Sequence, residues 1–183
     1  KNHKNRSFKR GFSHLFKEFH LFSTRSNWYI RLALGISTAV LIGSLFHMPR
    51  TMWIGIASMS VLLPFSKDMM YRIKRRGPFN ILGCIIFLIL YHLLPSKIFT
   101  WIGLIGGIGV GYSAGYAWQT VFNTFGALYI AAGLFGLKTA LILRIVANVF
   151  GSLYSFAFDH VFRIISSAIQ KVMENRQVMG DQV

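Results

Sequence analysis

The chain has 183 residues, 54% of them hydrophobic before its 17 glycines are counted, whereas apolar residues and glycine together make up only about 45–50% of soluble domains. Twenty Lys and Arg against five Asp and Glu give a formal charge of +15, yet mean hydropathy is positive at +0.49. The cations stand at the edges of long uncharged blocks, as in a protein that meets anionic lipid headgroups, which excludes a soluble domain and argues against nucleic acid as a partner.

The first 25 residues are expected to hold no cleavable signal, because phenylalanines alternate with cations and the longest apolar stretch there is two residues; residues 1–26 are read as a basic amphipathic segment. Phe8, Phe12, Leu15, Phe16, Phe19 and Phe22 recur at helical spacing, with Lys9, Arg10 and Lys17 on the remaining face. This pattern predicts an N-terminal amphipathic helix, either lying in the inner headgroup layer or packed on another cytoplasmic domain. The chain begins at Lys1 and not Met, as expected of a piece of a longer protein.

Uncharged runs follow at 32–49, 51–66, 77–96, 98–137 and, broken only by Arg144, 139–158. A helix of about 20 residues crosses a bilayer, so the run from 98 to 137 holds two crossings. The expected fold is an all-α integral membrane domain over 27–158, with six transmembrane helices near 31–48, 51–69, 78–95, 98–116, 119–137 and 139–158. The second is constrained by Pro64 and must be short, tilted or kinked. Residues 159–183 form a C-terminal helix and tail, with Val161, Ile165, Ala168, Ile169 and Val172 on one stripe.

Sixteen of the 20 Lys and Arg then fall on the side of the termini and the 67–76 loop, and only Arg50, Lys97 and Lys138 on the other. That asymmetry predicts both termini in the cytoplasm.

In the fourth span, Gly103, Gly107, Gly111 and Gly115 recur every four residues and form a groove for close helix packing, within the chain or across a dimer seam. Arg76, Asn80 and Gly83 open the third span, and Arg144, Asn148 and Gly151 repeat the same order and spacing 68 residues later in the sixth. The repeat maps the first three spans onto the last three, and an odd number of spans per copy makes the copies inverted, a 3+3 plan used by transporters. An arginine inside the membrane faces a cavity or a partner unless it snorkels to the headgroups. Arg144 and Arg76 are therefore candidate anion contacts, with Asn148, Asn80, Gln119 and Asn123 as uncharged polar lining. No carboxylate occurs between Met69 and Phe158, and His92 is the one histidine within the third span. With no HExxH, no GxSxG, no P-loop lysine and a single Cys84, the chain is expected to be no enzyme and to hold no cofactor and no metal.

The runs STRSNWYIRLALGISTAVLIG, MWIGIASMSVLLPF and RIKRRGPFNILGCIIF resemble the fusaric acid resistance protein-like family, which belongs with bacterial aromatic acid exporters and is distantly similar to plant aluminium-activated malate transporters. Arg31, Trp53, Arg76 and Gly83 stand where that family has its arginine, tryptophan, arginine and glycine, and LRIVANVFGSLYSF resembles its closing element at Arg144 and Gly151. Pro78 and Asn80 depart from the family's more frequent Gly-Thr pair. The resemblance covers residues 20–160. It implies export or conduction of organic anions, aromatic acids among them, in the bacterial plasma (inner) membrane, by a homodimer or by two six-span halves. The competing reading is a membrane scaffold that recruits lipid or an envelope-assembly partner through its basic ends.

Overall fold

The computed structural model describes residues 23–180, so the amphipathic helix expected over the first 22 residues lies outside the described residues. Within them the chain is all helical, with no strand. The elements are α1 (Thr24–Leu45), α2 (Met52–Val61), α3 (Ser66–Leu93), α4 (Ser96–Phe99), α5 (Ile102–Tyr112), α6 (Tyr116–Phe135) and α7 (Leu137–Gly180).

Helix ends follow from local chemistry. Ser23 caps α1, its side chain accepting from the Ser26 amide at 3.1 Å. The chain reverses after α1 through His47 and Arg50, both in the left-handed region. Pro64 holds the residue before it out of helical geometry and α2 stops at Val61. Gly136, at φ 79°, separates α6 from α7.

Among the described residues three helices are long and apolar enough to cross a membrane: Arg25–Leu45, Ser66–Leu93 and Leu137–Met173. The remaining expected spans take other forms. α2 has ten residues and α5 eleven, about 15 and 17 Å of helix against a ~30 Å hydrocarbon core. α6 has 20 residues but carries Gln119, Thr120, Asn123 and Thr124, so it is long enough without being apolar enough. α3 begins twelve residues before the expected third span and runs through Pro78, and α7 continues from the apolar run into the tail without a break.

α3, α5 and α7 pack against α6, burying Thr120, Val121, Thr124, Phe125 and Leu128 while Trp118, Ile130 and Leu134 stay exposed, and α2 packs on α7 and α1. Gly83 and Gly151 set two of these contacts. A Cβ at Gly83 would lie 3.1 Å from the Val121 carbonyl on α6, and one at Gly151 would lie 2.9 Å from the Ile54 carbonyl on α2. At the basic end of the bundle, Arg31 on α1 pairs with Asp159 on α7, and Asp159 also accepts from Arg163 Nε at 2.8 Å. Arg31 Nη2 donates to the Leu63 carbonyl at 2.6 Å, tying α1 to the segment after α2.

Candidate functional site

Residues spaced i, i+4 and i+7 share one face of a helix. On α3 that stripe is Arg76, Asn80 and Gly83, and on α7 it is Arg144, Asn148 and Gly151; both stripes point inward, and all six residues are buried. The glycine admits the neighbouring helix, which brings the backbone and side chains of α6 and α2 up to the polar residues beside it.

Arg76 lies where the end of α2 meets the start of α6. Its Nη1 donates to the Ser60 hydroxyl and, at 2.8 Å, to the Tyr116 hydroxyl. Among the described residues its Nε and Nη2 have no partner. Asn80 Nδ2 donates to Thr124 Oγ1 at 2.8 Å, and its Oδ1 is left unpartnered. Arg144 is 1% exposed. Its guanidinium carbon stands 5.1 Å from the Trp53 ring centroid, a cation–π arrangement. Nη2 reaches the Asn123 carbonyl only at 3.4 Å, and Nε has no partner. Asn148 Nδ2 donates to the Arg144 carbonyl at 2.8 Å, and its Oδ1 is free.

The two stripes thus present the same inventory: a buried guanidinium with spare N–H groups and an asparagine with a spare oxygen. Among the described residues neither arginine has a carboxylate partner. The nearest acid in sequence to Arg144 is Asp159, already engaged by Arg31 and Arg163. A buried charge without a partner costs several kcal/mol, and spare donors on two such groups suit an anion carrying several acceptor oxygens. Snorkelling does not describe Arg144, because its side chain is enclosed by helices.

Other expected residues are placed differently. Asn123 is half-buried and lines a groove between α5 and α6, and Gln119 is half-buried with no side-chain hydrogen bond among the described residues. On α5, Gly103 lies against Tyr129, but a Cβ at Gly107 or Gly111 would meet no described neighbour within 4 Å; nor would one at Gly115, which lies past the end of α5 at the start of α6. The close approach to α6 is made through Gly106, where a Cβ would lie 2.8 Å from the Phe122 carbonyl, and Gly109, where a Cβ would collide with the Phe122 ring. Of the four-residue ladder, only Gly103 makes a close approach to another helix among the described residues. Ser60, Tyr116 and Thr124 escaped the sequence reading, since single hydroxyls on apolar helices carry no spacing signal. No group of three potential metal ligands occurs among the described residues.

Neither a curated protein nor a solved structure matches the chain. A family model described as fusaric acid resistance protein-like matches residues 38–158, more than half of the chain and all of both arginine–asparagine–glycine stripes. The protein is a membrane protein of the fusaric acid resistance protein-like family.

Proposed function

We propose that the chain transports organic anions, aromatic acids among them, by export or conduction across a bacterial plasma membrane. The observation that carries this reading is the pair of carboxylate-free arginines, Arg76 and Arg144, buried among membrane helices with unpartnered N–H groups. Membership in a resistance-protein family is consistent with it. An anion passing these groups supplies the missing counter-charge, and the free oxygens of Asn80 and Asn148 accept from a hydroxyl or from water accompanying it. Trp53 offers an aromatic face beside Arg144. Asn123 and Gln119 complete the polar lining on α6.

The proposed architecture is six crossings in two inverted halves, α1–α3 and α4–α7, with both termini cytoplasmic. The exchange of neighbours supports it: Gly83 of the first half backs onto α6 of the second, and Gly151 of the second backs onto α2 of the first. Self-association is part of the proposal, with the outward glycines Gly107, Gly111 and Gly115 as the seam.

The test is flux of an aromatic carboxylate into vesicles containing the purified protein. A charge-assisted contact is worth about 1.5–3 kcal/mol, so Arg144→Ala should weaken apparent affinity about 10- to 100-fold. Arg144→Lys should recover part of this, since the planar two-pronged geometry is lost. Unaltered concentration dependence in a folded Arg144→Ala protein would refute the assignment, and absence of flux in the parent protein would favour the scaffold.

A further inference from the structure

At the basic end of the bundle a cleft of about 530 Å³ opens between the first turns of α1, Pro64 and the part of α7 beyond the apolar run. Trp28, Arg31, His160, Arg163, Ser166 and Gln170 are among its walls. It is separate from the Arg76 and Arg144 stripes, and the transport reading makes no use of it.

Among the described residues the walls hold no carboxylate, and two arginines supply donors. Arg31 is 3% exposed, and its Nε has no partner although Nη1 and Nη2 are engaged by Asp159 and two backbone carbonyls. Arg163 gives Nε to Asp159 and leaves both terminal nitrogens uncommitted among the described residues. Asn27 donates to Ser166 Oγ at 2.6 Å, which leaves the Ser166 hydroxyl proton free to be donated in turn. The cluster of Arg31, Arg163 and Asp159 carries one net positive charge.

Position sets the class of ligand. The uncharged run of α7 ends at Phe158, and Asp159, His160 and Arg163 follow at once, so the cleft sits where helices leave hydrocarbon for headgroups. Val161, Ile164 and Ile165 beside it are each more than half exposed, an apolar border suited to acyl chains. A tetrahedral anion with several acceptor oxygens matches the donors, and lipid supplies such an anion at this depth.

We propose that the cleft is a binding site for a lipid phosphate, occupied by the headgroup of an acidic phospholipid. The experiment is a native mass-spectrometry titration of the full chain in mild detergent with phosphatidylglycerol, with phosphatidylcholine, and with inorganic phosphate as competitor. Phosphatidylglycerol should bind more tightly than phosphatidylcholine. Arg163→Gln should weaken it about tenfold, the loss of one charge-assisted contact, and Arg163→Lys should restore part of the affinity. Lys171→Gln, on α7 but outside the cleft, should leave binding unchanged. If Arg163→Gln does not fold, Gln170→Leu carries the same comparison. Equal loss in Lys171→Gln would mean diffuse attraction to a basic surface, and equal binding of the two lipids would remove the anionic headgroup; either overturns the proposal. Binding of inorganic phosphate without phosphatidylglycerol would assign the cleft to a soluble anion and overturn the lipid.

Discussion

Replacing Asp159 with Asn changes one atom's charge and almost nothing of the side chain's shape, yet it should be among the most damaging substitutions in the chain. Asp159 is 4% exposed and sits between Arg31, 3% exposed, and Arg163. Removing its charge leaves the Arg31 guanidinium buried with two backbone carbonyls and no anion, a loss of about 3–5 kcal/mol for a broken buried pair. Arg31→Met should cost less, about 1.5–3 kcal/mol, because Asp159 keeps its 2.8 Å bond to Arg163. The double variant Arg31→Met with Asp159→Leu removes both buried charges and leaves only Arg163, whose side chain is 43% exposed; it should be more stable than Asp159→Asn alone. Reversible unfolding in mixed micelles of mild and denaturing detergent measures all three. A cost below about 1 kcal/mol for Asp159→Asn, the level of a surface pair, or a double variant no more stable than Asp159→Asn, would refute the reasoning.

Gly151→Val should destabilise the fold by about 1–3 kcal/mol through overpacking, since its Cβ would fall 2.6 Å from the Ala57 Cβ and 2.9 Å from the Ile54 carbonyl; the same unfolding assay reads it. Gly107→Leu meets nothing within the chain at its Cβ, so it should leave unfolding unchanged and lower the dimer fraction seen by sedimentation in mild detergent. A fully active monomer would defeat the seam. For topology, cysteines placed at 72 and 171 should resist labelling from outside intact cells, whereas those at 50 and 97 should react; the reverse pattern would overturn the orientation.

Much of this protein is legible locally. An uncharged run of 20 residues has to satisfy its backbone within a helix when it enters lipid, so helical class and membrane setting follow from composition and charge placement. The stripes Arg76–Asn80–Gly83 and Arg144–Asn148–Gly151 are legible for the same reason, because helical periodicity alone puts their members on one face. What each stripe meets is not local. The partner of Arg31 lies 128 residues away at Asp159, and that of Arg76 lies 40 residues away at Tyr116. The glycines of α5 show the limit most clearly: the four-residue spacing marks Gly103, Gly107 and Gly111, whereas Tyr129 and Phe122 on α6 place the close contacts at Gly103, Gly106 and Gly109. The ten-residue length of α2 likewise reflects Pro64 acting on a segment whose end is held by Trp28 and Arg31 of another helix. Periodicity is written within one helix, whereas the choice among its faces is made by the shapes and charges of helices distant in sequence, and only the packed structure brings those together.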